Sequence, residues 1–424
     1  MKEKLKSLTA VFYTPVLIYF VFFVIISLIA IAAATPLARI QQYTGNFVLR
    51  QLIFFGIGIV AAFFVMLFEL KRVRFLRWVL YLSFFILLLL IFIFGETYPS
   101  CVSIGLTIPC INGATRWINL PRFQIQPSEF MRIALILVIA DIIQRHNEKF
   151  LHENRTFKSD LWLIIKSLLV IIAPVALIYD QPDTGITILI FVTTAIMLIT
   201  AGVKWTYILV AGAAATAVTV TFLSLVIHNP EVLFDFEIFG RQIFFPHQFA
   251  RIYGWVDPFE TIQGAGRHLS FGLMGMGSGG VFGNGFQSAA VFFPEAHTDF
   301  IFAVIGMDFG MIGSMTVIGI SLLFNFSVLK VAVLNRDHYN GHVCVGIFAS
   351  LMTQQFWNIG MILGILPITG VTLPFISHGG SSVLASMIML GLVLSSHVEG
   401  LTIKRNTTVY REDISYLEEK EVAV

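Results

Sequence analysis

Apolar residues crowd into ten long runs, at roughly 11–34, 48–69, 75–94, 126–144, 161–180, 184–202, 205–227, 300–329, 343–366 and 380–398. Crossing the hydrocarbon of a bilayer as a helix takes about 20 mostly apolar residues, and each run is close to that length. The longest connection between runs, by far, is the one at about 228–299, and every other connector is shorter. The pattern predicts an all-α polytopic membrane protein of about ten transmembrane helices, with residues 1–424 forming a single integral membrane domain.

Composition agrees. Hydrophobic residues make up 57% of the chain and charged residues only 12%, against about 25% charged in a typical soluble domain. The net charge of +2 gives no reason to expect a nucleic-acid partner. Its distribution is more informative. With the N-terminus inside, Lys2 to Lys6, Lys71 to Arg77, Arg145 to Lys166, Lys204, Lys330, Arg336 and the C-terminal basic residues place 19 of the 27 Lys and Arg on the cytoplasmic side. That satisfies the positive-inside rule and predicts that both termini are cytoplasmic. The eight left outside are all arginine: Arg39, Arg50, Arg116, Arg122, Arg132, Arg241, Arg251 and Arg267. This is either chance or a surface that grips phosphate bidentately.

The three cysteines have no zinc-like spacing with histidine. Cys101 and Cys110 share one outer loop, either as free thiols or as a disulfide. Met1–Lys6 and the apolar run after it lack the small-residue site of a cleavable signal peptide.

Polar residues within or beside the runs are the candidates for chemistry, because ionisable groups at membrane depth are expensive. Pro127-Ser128-Glu129 opens the fourth run, with Arg132 one turn on from Glu129. The pair either locks a helix start or lines a polar cavity. Asp180-Gln-Pro-Asp183 joins the fifth and sixth runs, where Asp183 either caps the sixth helix or belongs to a cation or sugar site. Nine glycines from Gly264 to Gly285 permit tight backbone paths and close approach to a ligand, but no Gly-Lys-Ser/Thr follows and this is not a phosphate loop. Glu295-Ala-His297-Thr-Asp299 follows at the mouth of the eighth run. Asp299 is either a helix cap or a partly desolvated general base tuned by His297 or Glu295. Between the last two runs, Gly364 to Ser382 is rich in proline, glycine and hydroxyls, and lipid-exposed irregular backbone is not tolerated at that depth. It therefore reads as a re-entrant segment, in which His378 serves either a structural hydrogen bond or catalysis. Asp308 is expected to face inward, and Lys166 to snorkel toward the cytoplasmic surface.

Taken in order, Gly113-Ala-Thr-Arg-Trp-Ile-Asn-Leu120, Gln126-Pro-Ser-Glu129, Gln181-Pro-Asp183, Gly277-Ser-Gly-Gly280, Pro294 through Phe302, and Asn358-Ile-Gly-Met361 with Gly364 through Ser382 resemble the SEDS family of cell-wall polymerases (RodA, FtsW and SpoVE). The resemblance covers almost the whole chain. It implies a peptidoglycan glycosyltransferase that polymerises lipid II into glycan strands at the outer leaflet of the bacterial cytoplasmic (inner) membrane. An acceptor sugar hydroxyl would attack the anomeric carbon of the donor, and undecaprenyl pyrophosphate would leave. The family's essential aspartate maps to Asp299, as general base or as ligand of a divalent cation (Mg or Mn), for which Asp183 is the other candidate. Substrate contacts are expected from Arg116, Trp117, Ser128, Glu129, Arg132, Asp183, Arg251, Glu295, His297, Ser377, His378, Gly379 and Gly380. Departures from the family pattern are Arg132 in place of lysine, Met307-Asp308 in place of paired acids, and His378 in place of tyrosine.

Asn358 through Thr369 favours the elongation branch, whereas Thr372 through Ser377 with Ser381-Ser382 leans toward the division branch; the first is preferred. The implied partners are a class B penicillin-binding protein transpeptidase and other proteins of the elongation or division complex. Two other readings fit the same polar residues: a lipid II flippase or transporter, and a non-catalytic scaffold of the wall-synthesis machinery.

Overall fold

A computed structural model describes residues 15–40, 45–68, 70–95, 108–109, 115–120, 123–150, 155–229, 231, 237–238, 241–242, 252–335 and 337–422. Long helices follow each expected run: α1 (Pro15–Ile40), α2 (Phe47–Leu67), α3 (Leu70–Phe94), α4 (Pro127–Lys149), α5 (Phe157–Asp180), α6 (Thr184–Thr200) and α7 (Trp205–His228). A shorter helix, α8 (Arg267–Ser278), interrupts the long connection before α9 (Ile301–Leu334), α10 (His338–Ile362) and α11 (Gly380–Val422). Two strands, β1 (Ile118–Leu120) and β2 (Phe123–Ile125), pair antiparallel just before α4. Seven of the helices are long and apolar enough to span a bilayer, and α6 is apolar but only 17 residues long. The other two, α4 and α10, carry more polar groups because both lie in the middle of the bundle.

Local signals set the helix starts. Asn46 accepts from the Leu49 amide at the head of α2, Thr156 from Ser159 at α5, and Asp337 from Tyr339 and Asn340 at α10. Pro127 opens α4, where its missing N–H costs nothing.

The burial pattern is that of a protein in lipid. On α4 every residue from Pro127 to Asp141 is buried. On α2 and α3, by contrast, Ile53, Ile57, Phe63, Phe64, Val79 and Ile86 are each about half exposed, which is stable only against an apolar solvent.

One end of the bundle is tied by charge. Asp141 on α4 pairs with Arg74 (2.6 Å), Arg77 (2.9 Å) and Arg145 (2.9 Å), and Glu399 on α11 accepts from Asn340 on α10 (2.7 Å). Glu129 lies twelve residues before Asp141 on the same helix, about 18 Å toward the other end.

One sequence expectation changes. The eighth run is not one continuous helix, since Gly310 has φ 67 and ψ −158 and breaks α9. The segment Gly280–Gly285 fills the break: Met311 and Ile312 donate to Gly280 and Val281 (2.9 and 3.3 Å), while Asn284 and Gly285 donate to Met307 and Asp308 (3.0 and 3.1 Å). Asp308 completes the junction by accepting from the Gln287 amide and the Ser288 hydroxyl (2.8 and 2.6 Å). The amides of Met311 and Ile312 and the carbonyls of Met307 and Asp308 thereby find partners inside the protein, as membrane burial requires. The glycine density thus has a backbone cause. A Cβ on Gly283 would lie 2.1 Å from the Asp308 carbonyl, and one on Gly310 would lie 2.5 Å from the Gly283 nitrogen.

Candidate functional site

The end of the bundle opposite Asp141 gathers α4, α10, the β1–β2 hairpin, the turn before α6, the turn before α9, and the segment before α11. Polar contacts rather than regular structure join them.

Asp183 is the residue that precedes α6, yet its side chain makes no cap hydrogen bond. Its carboxylate instead accepts from Gln126 Nε2 (2.7 Å) and Ser128 Oγ (3.0 Å) and lies 3.7 Å from the Arg116 guanidinium. The Arg116 guanidinium in turn sits over the Trp117 ring, 4.7 Å from its centroid. The Asp183 side chain therefore does not cap α6, one of the two readings its position allowed.

Below this lies a second, fully buried layer. Arg132 donates to Glu129 (2.9 Å) and to Gln354 on α10 (2.7 Å). Gln354 passes the chain of contacts on to Thr372 (3.1 Å to its carbonyl), and Thr372 lies 2.7 Å from the Ser382 hydroxyl. Ser381 stitches the hairpin to α11 by donating to the Gln124 carbonyl (2.8 Å) and accepting from the Gln126 amide (2.9 Å). The ion pair that locks the start of α4 is thus also the strut between α4 and the re-entrant segment.

Asp299 stands in a tight turn. Thr298 Oγ1 lies 3.0 Å from both an Asp299 and a Glu295 carboxylate oxygen. Glu295 itself takes φ 53, a left-handed conformation held by the Thr298 and Phe300 amides donating to its carbonyl (3.1 and 3.2 Å). The residue that caps α9 is Phe300, which has no side-chain cap, so Asp299 is not a helix cap either. From α10, Asn358 Nδ2 donates to the carbonyls of Asp299 (2.8 Å) and Val371 (2.7 Å). The Asp299 carboxylate faces Gly370, where a Cβ would stand 3.9 Å from Oδ2. Desolvation, reinforced by Glu295, raises the Asp299 carboxyl to about 6, with Thr298 and the Arg116 charge opposing. Arg116 therefore acts on Asp183 and Asp299 together, and an acid near 6 is suited to accept a proton at neutral pH.

The remaining residues fall into a packed shell. His297 is buried, its ring 4.7 Å from Phe47 and 5.8 Å from His378, and its carbonyl accepts from the His378 amide (2.9 Å). His378 Nδ1 lies 3.1 Å from Gln51 Oε1 on α2, and Gln51 also donates to Ser27 on α1 (3.1 Å). The Ser377 hydroxyl accepts from the Leu373 amide (2.8 Å) and so closes a turn. Gly379 leads into α11, and Gly380 lets the Phe54 ring come within 3.1 Å of where a Cβ would be. Phe375 holds the segment from below with φ 63, its ring against Phe20, Phe23 and Phe324 at 5.4–5.8 Å. Arg251, Cys101 and Cys110 lie outside the described residues.

Sequence reasoning did not single out Gln51 or Gln354. Both are amides at membrane depth, Gln51 in the apolar α2 and Gln354 beside Gln355 and Asn358 in α10, and that cost was the available signal. Gln126, Asn358, Thr372 and Ser382 lay within the quoted motifs without a role.

Comparison with known proteins places the chain in a family and shows its fold elsewhere. Residues 11–400 match the cell cycle protein family of FtsW, RodA and SpoVE. Stage V sporulation protein E of Bacillus subtilis is 31% identical over 87% of this chain and 92% of its own. The probable peptidoglycan glycosyltransferase FtsW of Wigglesworthia glossinidia brevipalpis is 29% identical over 94% and 97%. Among solved structures, a peptidoglycan synthase complex described as coordinating polymerization and crosslinking superimposes with a TM-score of 0.70 at 24% identity, covering 91% of this chain and 97% of that one. Rod shape determining protein RodA of Thermus thermophilus superimposes with a TM-score of 0.62 at 22% identity, covering 91% and 96%. These two likenesses speak to the fold. Taken with the family match over nearly the whole chain, they show that this is a multi-pass membrane protein belonging to the FtsW/RodA/SpoVE family of cell cycle proteins.

Proposed function

We propose that this chain is a peptidoglycan glycosyltransferase that polymerises lipid II at the outer leaflet of the bacterial cytoplasmic membrane, with Asp299 as its general base. The observation that carries this reading is the Asp299 turn: a half-buried carboxyl raised to about 6, braced by Asn358 and sharing the field of Arg116 with Asp183. The family match supplies the reaction class.

In the proposed step the acceptor sugar hydroxyl gives its proton to the Asp299 carboxylate as its oxygen bonds to the anomeric carbon of the donor. The bond from that carbon to the pyrophosphate oxygen breaks, and undecaprenyl pyrophosphate leaves with the electron pair. Arg116 is placed to offset charge on the departing phosphate, and the Trp117 face to support a sugar ring.

Among the described residues no group of three or more His, Cys, Asp or Glu forms a cation cage. Asp299 and Glu295, bridged by the Thr298 hydroxyl, nevertheless fit the habit of magnesium, which takes one or two carboxylates and completes its shell with water and substrate phosphate. A magnesium or manganese ion held there would neutralise the leaving pyrophosphate.

The positive-inside count supports cytoplasmic termini. A class B penicillin-binding protein transpeptidase is the proposed partner, in a complex serving elongation or division. Reconstitution with labelled lipid II, in the presence of that partner and penicillin to block cross-linking, tests the reading. Glycan chains are expected. Lipid II crossing the bilayer without polymer would favour a flippase, and neither activity would favour a scaffold.

A further inference from the structure

At the Asp141 end of the bundle, α4 and α5 diverge around a cavity of about 640 Å³. Its basic lining is Arg145, Lys149, Lys158, Lys166 and His146, joined by the hydroxyls of Thr156 and Ser159, with no carboxylate in its lining among the described residues. Nearby acids offset this wall only in part, since Asp160 and Glu148 stand against its three lysines and Arg145. Asp141 is already shared among Arg74, Arg77 and Arg145, and Asp160 accepts from the Lys204 amide (3.5 Å). Glu148 accepts from Gln144 (2.7 Å), and Glu153 lies outside the described residues. His146 is buried, and its Nε2 has no hydrogen-bond partner among the described residues.

The rim is built differently. Leu161, Trp162 and Ile165 on α5 are 40%, 53% and 36% exposed, and they face the surroundings of the bundle. Lys166 lies over the Trp162 ring (5.2 Å) and Lys149 over Phe150 (5.8 Å), so each ammonium rests at the boundary between an apolar belt and the polar cavity. A free phosphate or an acidic peptide would use the cations and leave the apolar belt idle. A phospholipid uses both.

We propose that this cavity is a binding site for the head group of an anionic phospholipid, whose acyl chains run along the Trp162 face of α5. The phosphate oxygens meet Lys149, Lys158 and Lys166, and the His146 ring donates from Nε2 when its proton is on that nitrogen. Basic pockets between membrane helices on the cytoplasmic side take such lipids, each nearby cation adding to the attraction. The site lies at the end of the bundle opposite Asp299 and is separate from the proposed chemistry.

Native mass spectrometry of the full-length protein in detergent provides the test. The probes are phosphatidylglycerol, cardiolipin, phosphatidylcholine with matched chains, and inorganic phosphate. The wild type is expected to retain the two anionic lipids at least about tenfold better than phosphatidylcholine. A K149Q/K158Q/K166Q variant should lose that preference while keeping its elution profile and thermal midpoint, and K330Q, on an exposed position of α9, should keep it. Equal retention of anionic and zwitterionic lipid, or an unchanged preference in the triple variant, would overturn the proposal. So would millimolar inorganic phosphate fully displacing the anionic lipid, which would mark a simple phosphate site.

Discussion

Asn358 donates both of its amide hydrogens to backbone carbonyls on different segments, that of Asp299 at 2.8 Å and that of Val371 at 2.7 Å. One side chain on α10 therefore fixes the distance between the proposed catalytic turn and the re-entrant segment.

Asn358→Ala removes both bonds and leaves two carbonyls in a dry setting, a loss of about 2–3 kcal/mol. We expect the variant to lower kcat well beyond any change in KM, because Asp299 would lose its position rather than its chemistry. Steady-state polymerisation with labelled lipid II measures the split.

The acid limb of the pH–rate profile should fall near 6, since Asp299 must be ionised to take a proton. Glu295 raises this carboxyl and Arg116 lowers it. Glu295→Gln should therefore move the limb to lower pH and Arg116→Gln to higher pH. Opposite shifts from two neighbours are a signature that general loss of structure would not produce.

The same carboxyl bears on stability. Its folded value lies above the unfolded 3.8, so the folded state binds the proton more tightly, and stability falls as pH rises from about 4 to 6. Asp299→Asn should be as stable as wild type near pH 4 and more stable above pH 6, by up to about 3 kcal/mol. Thermal unfolding in detergent across that range reads it directly. A variant less stable at every pH would mean that the carboxylate serves the fold.

Gly283→Ala should unfold the junction between the glycine-rich segment and α9. Its φ is +85, and the added methyl would lie 2.1 Å from the Asp308 carbonyl. A loss of at least about 2 kcal/mol is expected, seen as a lower thermal midpoint.

The apolar runs made the helices legible, because span length and lysine placement are local properties of the chain. Motif spacing likewise marked Asp183, Asp299 and Arg116. Other features depend on segments distant in sequence. The break at Gly310 matters only because residues 280–285 fill it. Gln354 is indistinguishable from its neighbour Gln355 until Arg132 and Thr372 reach it from two other elements. The histidines show the same limit: spacing left His378 between a structural hydrogen bond and catalysis and gave His297 as a group that tunes Asp299, and only the fold shows them packing on each other and on Phe47, with Gln51 bound from α2. The choice between cap and site at Asp183 and Asp299 also needed side-chain direction, which spacing does not encode.

The most direct measurement is polymer formation by reconstituted wild type and Asp299→Asn on labelled lipid II, at matched protein levels and with cross-linking blocked. Glycan chains from wild type and a loss of at least about a hundredfold in the variant, which removes the base while keeping its shape, are predicted. Polymer at the wild-type rate from Asp299→Asn, or none from wild type with its partner present, would contradict the account.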